Sequence, residues 1–164
     1  MPRFEKRSSM PATAAELYAW HARPRAFERL NPPFDPVTLE SRSGEGLEVG
    51  TKVVVRMKLG PLAQRWVAEH TAHEPGRMFR DEQKEGPFSR WVHTHRFEDG
   101  QLTDEIDFEL PVGTSFAERK LQRVFDYRHA LTRADLERHK RFADRPRLRV
   151  AITGATGLVG SALA

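Results

Sequence analysis

The 164-residue sequence contains no cysteine, which excludes disulfide bridges and thiolate metal sites and fits a cytoplasmic setting. No apolar run approaches the roughly 20 residues that a membrane-crossing helix needs. The opening MPRFEKRSSM lacks the apolar core of a signal peptide. Internal repeats and low-complexity segments are missing. So are a nucleophile elbow, a P-loop and the ligand spacing of a zinc motif. The formal net charge is only +4. Its arginines are spread along the chain among Asp and Glu, whereas a phosphate-tracking surface concentrates its positive charge. The densest basic stretch, RHALTRADLERHKRFADRPRLR, also carries acids and helix formers, so it reads as a solvated helix face and not as a nucleic-acid site.

What is present describes a globular chain, with 38% hydrophobic and 30% charged residues. Arg3 to Met10 alternates as a first strand, with Phe4, Lys6, Ser8 and Met10 on one side. Thr13 then caps a helical run, with Glu16 completing a capping-box pattern, and Pro24 breaks the helical stretch into two short helices. From Val37 to Leu110, alternating runs are separated by the turn signals SGEG, GPL, EPG, EGPF and EDGQ. Six strands are predicted near 37–43, 51–59, 64–73, 77–85, 89–98 and 101–110, joined by connections short enough to make neighbours antiparallel. A long amphipathic helix comes next over 115–142, with Phe116, Leu121, Val124, Phe125, Leu131 and Leu136 as its apolar stripe. Seven strands and one long helix bury that stripe only if the sheet curls around the helix. The expected fold is therefore α+β: a helix-grip, seven-stranded antiparallel sheet wrapped on a long C-terminal helix, with two short helices after strand 1.

Strand alternation sorts the faces. One face of the last three strands carries Arg, Glu, Lys and Thr and is placed outside. The inner face carries Phe79, Trp91, Phe97, Ile106 and Phe108, but also Asp81, Gln83, His93, His95 and Asp104, and His70 joins them if Trp66 and Ala68 point inward. Unpaired buried polar groups cost on the order of 1–3 kcal/mol each, so something must satisfy them. Three readings stay open. The polar set is an internal hydrogen-bond network; or it orients a partly polar ligand within apolar walls; or a histidine beside Asp81 or Asp104 performs general acid–base chemistry. His93-x-His95 with Asp81 or Asp104 is also a possible metal-ligand set, but such pairs recur by chance in strands, and no metal is assigned from sequence. Trp20 and His21 are expected to pack near the mouth of the sheet. Arg128, beside Tyr127 on the long helix, is placed either to pair with an internal carboxylate or to face solvent.

The order of elements over about residues 1–142 resembles the START-like (SRPBCC) superfamily, which includes polyketide-cyclase-like and pollen-allergen-like proteins. That resemblance implies a cavity between sheet and helix for a small hydrophobic or amphipathic ligand, lined here by Trp66, His70, Phe79, Asp81, Gln83, Trp91, His93, His95, Phe97, Asp104, Ile106 and Phe108.

After the linker ADRPR, the tail RVAITGATGLVGSALA has the spacing Gly154-x-x-Gly157-x-x-Gly160 between an apolar strand-like run and a helix-like one. Glycine there permits a tight turn and lets backbone approach a pyrophosphate. TGATGLVG resembles the cofactor loop of extended, epimerase-like short-chain dehydrogenase/reductases, which implies NAD(P) held near Thr153, Gly154, Thr156, Gly157, Leu158 and Gly160. The rest of such a site, including a Tyr-x-x-x-Lys pair, is absent from the sequence. The expectation is a START-like domain over 1–146 and the beginning of a Rossmann domain over 147–164. With GPFSRWVHTHRFEDG, LTDEIDFELP and DYRHALTRADLERH, the whole resembles bacterial fusions in which an SRPBCC domain precedes an NAD(P)-dependent oxidoreductase. The expected role is ligand binding as the accessory domain of that enzyme, without redox activity of its own. A cyclase- or dehydratase-like enzyme using His93 or His95 with Asp81 or Asp104, and a module docking on the oxidoreductase, are the alternatives.

Overall fold

A computed structural model describes residues 2–44, 46–59, 62–110, 113–146, 148–157 and 160. In chain order the elements are β1 (Arg3–Ser9), α1 (Ala14–Ala22), α2 (Ala26–Arg29), β2 (Val37–Ser43), β3 (Lys52–Leu59), β4 (Leu62–Glu74), β5 (Met78–Glu85), β6 (Arg90–Glu98), β7 (Gln101–Glu109) and α3 (Thr114–Arg141). One antiparallel sheet runs β1-β7-β6-β5-β4-β3-β2. Successive strands from β2 to β7 are neighbours because their connections are short, and β1 closes onto β7 with Phe4 opposite Ile106. The sheet curls around α3, which gives the helix-grip architecture that the sequence pattern predicts.

Local signals set the element ends. The Thr13 hydroxyl accepts from the Glu16 amide while the Glu16 carboxylate accepts from the Thr13 amide, so both halves of the capping box are made. Pro24 stops α1, and Arg25 takes a left-handed φ of 63° that turns the chain into α2. In β4 a bulge between His70 and Ala72 leaves Thr71 unopposed. That extra residue resets the alternation. His70 therefore faces inward, and so does His73, whose Nε2 lies 2.7 Å from the Tyr18 hydroxyl on α1.

The helix stripe departs from expectation at its start. Phe116 is exposed because the first turn of α3 presents it to an open groove beside Phe34. Leu121, Val124, Phe125 and Leu136 are buried as the periodicity requires, and Leu131 is half-buried. The tail also departs. Leu148 and Val150 are exposed, and residues 149–153 form no strand. An apolar run becomes a strand only when a neighbour supplies its hydrogen bonds, and no strand among the described residues pairs with this one.

Asp135 locks α1, α2 and α3 together. Its carboxylate lies 3.1 Å from Arg23, 2.9 Å from Arg29 and 3.3 Å from Arg138. Burial by itself would raise its pKa, but Arg29 and Arg23 hold it below the usual carboxylate range. A depressed carboxylate contributes stability above its ordinary pKa and loses that contribution as pH falls through the folded value. Asp135→Asn is expected to cost about 1–2 kcal/mol at pH 7, discounted for the half-exposed arginines. Urea titrations should show the gap between variant and wild type closing on acidification.

Candidate functional site

Strands β6 and β7 pair Phe97 with Leu102, His95 with Asp104, His93 with Ile106 and Trp91 with Phe108. All eight side chains face α3, so one strand pair delivers an apolar–polar–apolar sequence across the interior. The helix matches it, with Phe125, then His129 and Thr132, then Leu136. The core accordingly splits in two. One apolar cluster gathers Phe4, Trp91, Ile106, Phe108, Leu121 and Phe125; the other gathers Leu17, Trp20, Phe79, Phe97, Leu102 and Leu136. Between them lies a polar seam.

Asp104 is the centre of that seam and is 3% exposed. Its Oδ1 accepts from His93 Nε2 at 2.8 Å and its Oδ2 from His129 Nε2 at 2.6 Å. His95 Nδ1 lies 2.6 Å from Oδ1, but this approach is bent and leaves that nitrogen without a proper hydrogen bond. The opposite nitrogens of the two strand imidazoles face Asp81, with His93 Nδ1 at 3.3 Å and His95 Nε2 at 3.7 Å from its Oδ2.

The charges follow from these contacts. Burial opposes ionisation of both aspartates, but the imidazoles facing them outweigh it, so Asp81 and Asp104 both sit well below the usual carboxylate range. Burial would also lower His93, yet Asp81 and Asp104 together raise it to about 9. His21 behaves in the opposite way. Desolvation, reinforced by His95, lowers it to about 4, and its Nδ1 pairs with the Leu17 carbonyl at 2.8 Å. His70 is likewise lowered by burial.

His93, His95, Asp81 and Asp104 come together, with His70 opposite Asp81 in register. Gln83 does not join them. Its side-chain amide donates to the Phe88 carbonyl at 2.7 Å and accepts from the Phe88 amide at 3.3 Å, closing the β5–β6 turn. Phe79 stacks on His95 at 4.0 Å, whereas Trp66, Trp91, Phe88 and Phe108 build an aromatic wall beyond the seam. Arg128 points into the interior, and its Nε is buried without a partner. The solvent-facing alternative is thereby overturned, because the helix turn that places Phe125 inward carries residue 128 inward too. His129 and Thr132 escaped the sequence reading because neither is apolar. Continuing the stripe by helical steps from Leu121 and Phe125 would have found them.

At the seam itself there is little space. A pocket of about 10 Å³ is bounded by His21, His95, Asp104, Arg128, His129 and neighbours, which is room for about one water. A larger, open groove of about 380 Å³ runs outside, between Phe34 and Asp35 on one bank and Phe116, Arg119, Lys120, Arg123 and Val124 of α3 on the other. In the tail, Thr153, Gly154, Thr156 and Gly157 form a turn, with the Gly157 amide donating to the Gly154 carbonyl at 2.9 Å. A Cβ on Gly160 would lie 2.1 Å from the Gly154 carbonyl oxygen, so only glycine fits there. Leu158 lies outside the described residues.

A family model described as polyketide cyclase / dehydrase and lipid transport matches residues 10–140. Among curated proteins, none matches. A solved nucleoside-diphosphate sugar epimerase from Corynebacterium glutamicum is 29% identical with a TM-score of 0.72; the alignment covers 98% of this chain but only 35% of that one. The Zhui aromatase/cyclase from a Streptomyces species is 18% identical at a TM-score of 0.62, over 87% of this chain and 98% of its own. Ginseng major latex-like protein 151 from Panax ginseng is 14% identical at 0.61, over 82% and 96%. The last two likenesses are of fold alone.

Asp104→Asn should cost about 3–5 kcal/mol, the range for removing one partner of a buried ionic network, read as a lower urea midpoint at unchanged slope. His21 gives a pH signature. Its folded value of about 4 lies below the ordinary 6.5, so its contribution is full above 6.5 and is lost as pH falls towards 4. A His21→Gln variant should therefore lose less stability than wild type across that interval.

Proposed function

The chain belongs to the polyketide cyclase/dehydrase and lipid-transport family, and on that premise we propose that it binds a small hydrophobic or amphipathic molecule at the seam between sheet and helix. One observation carries this reading. Buried nitrogens of His70, His129, Arg128, Trp66 and Trp91 have no hydrogen-bond partner, although native interiors satisfy nearly all such groups. A ligand with an apolar body and a few polar atoms would satisfy several of them at once, its body lying against Trp66, Phe79, Trp91, Phe97, Ile106 and Phe108. Because the seam holds only about 10 Å³, binding requires the Phe34 loop and the start of α3 to part, and the groove along Phe116, Lys120 and Val124 is the route.

A second reading is catalytic. A carboxylate aligned on an imidazole at 2.8 Å, as in Asp104–His93, is the geometry of acid–base chemistry in a cyclase- or dehydratase-like enzyme, with Asp81 and His95 completing the set. The two readings separate by mutation. His93→Gln with His95→Gln would abolish turnover while leaving affinity for the apolar body largely intact.

At the level of the whole protein, the ligand domain (residues 1–146) would serve an epimerase-like oxidoreductase whose Rossmann domain begins within 147–164. The near-complete alignment of this chain with about a third of the Corynebacterium protein supports that arrangement. The turn at Gly154 and the glycine-only space at Gly160 suit a backbone that closes on a pyrophosphate. Thr153, Gly154, Thr156, Gly157, Leu158 and Gly160 would hold NAD(P), which supplies hydride transfer when bound. A third reading makes the charged outer sheet or α3 a surface that docks on that oxidoreductase; the two halves should then associate when co-expressed.

Titration with decanoate or anilinonaphthalene sulfonate, followed by the fluorescence of the seam tryptophans, tests the binding reading. We expect saturable binding that weakens about tenfold when Val124→Trp narrows the groove. Native mass spectrometry of the full-length protein should reveal a co-purified small molecule. Absence of saturable binding, with no co-purified molecule, would remove the proposal.

A further inference from the structure

From the arrangement of Asp81, His93 and His95 we infer a divalent metal site, best suited to zinc, on the inner face of β5 and β6. The three side chains converge so that one ligand atom from each lies within 4.8 Å of the others. Asp81 Oδ2 is 3.3 Å from His93 Nδ1 and 3.7 Å from His95 Nε2. These separations are long for a charge-assisted hydrogen bond, which runs about 2.7–2.9 Å. They resemble the edges of a tetrahedral shell, which metal–ligand bonds of about 2.0–2.2 Å place near 3.3–3.6 Å.

The hydrogen bonding fits the same site. Ionised Asp104 can only accept, so His93 Nε2 donates to it at 2.8 Å. The opposite nitrogen, Nδ1, faces Asp81 and becomes a ligand when an ion displaces its proton. An imidazole held by a carboxylate on one side and a metal on the other is the usual outer-shell arrangement of zinc sites. Asp104 supplies that support to His93, and is itself fixed by His129 from the helix at 2.6 Å. Histidine and carboxylate with no thiolate suit zinc.

The sheet makes the set possible. Asp81 stands opposite His93 in register, and Phe79 opposite His95, so the ligands occupy adjacent strands on the same face. Asp81 is 16% exposed at its side chain, against 5% and 10% for the histidines, which gives an ion a way in and leaves a coordination position for water. His70, opposite Asp81 on β4 with its Nδ1 unpartnered, borders that side. A site with three protein ligands and one open position is of the type that activates water.

The test is calorimetric titration of the metal-stripped chain with Zn²⁺, with Co²⁺ absorption as an independent report of coordination. One ion per chain is expected, with the intense visible bands of four-coordinate cobalt. Asp104→Asn should weaken binding about 10–100-fold, as for other outer-shell partners. Asp81→Ala should weaken it further and remove the cobalt bands. His139→Ala, at an exposed position, should change neither. Circular dichroism of each variant separates a lost ligand from a lost fold, and the ion stoichiometry of the wild type tests the site whether or not the variants fold. Failure of folded wild type to take up a stoichiometric ion, or undiminished binding by Asp81→Ala, would overturn the site and leave Asp81 as the ion-pair partner of a protonated His93.

Discussion

One carboxylate organises the interior. Asp104 sits on β7 between Leu102 and Ile106, and each of those neighbours belongs to a different apolar cluster. Its two oxygens engage imidazoles from β6 and from α3, so a single buried charge ties sheet to helix at mid-length. The apolar clusters at either end supply most of the driving force for closing the sheet on the helix, at roughly 25 cal/mol per Å² buried. Asp104 ties the helix to the sheet at that level, because displacing the helix by one residue would withdraw His129 and leave Oδ2 without its partner. A buried charge stripped of a partner is costly.

The same arrangement leaves little space at the seam itself. Where a ligand would lie, this chain places His93, His95, His129 and Arg128. Several of their nitrogens have no protein partner. The seam is thus narrow yet chemically incomplete. A ligand entering from the groove by Phe34 and Phe116 would meet Arg128, His129 and the aromatic wall. An ion held by Asp81, His93 and His95 would complete a different part of the seam, nearer β5. The two sites share Asp104 as their common support.

The boundaries of the strands, the Thr13 capping box, the break at Pro24 and the length of the last helix follow from local chemistry, and all were legible in the sequence. So was the inward set on β5 to β7, since alternation has a period of two and short turns leave little freedom of register. Less was legible where a single residue or a long-range partner intervenes. The bulge at Thr71, which brings His73 inward, leaves no mark in the pattern. Gln83 has the right parity for the seam but spends its amide on the Phe88 turn. His129 and Arg128 lie on the buried face of α3, where a search for apolar stripes passes over them.

By itself, then, the sequence determined the order of elements, the sheet that grips a helix and the polar character of the inner face, because each rests on contacts between residues close in the chain or on strict alternation. Only the tertiary structure decided that the seam is narrow, that one aspartate gathers imidazoles from opposite layers, and that the apolar tail segment is no strand here. Those outcomes depend on distances between residues 25 or more positions apart, as for Asp104 and His129, and on whether a partner strand is present. Neither quantity is written in local periodicity.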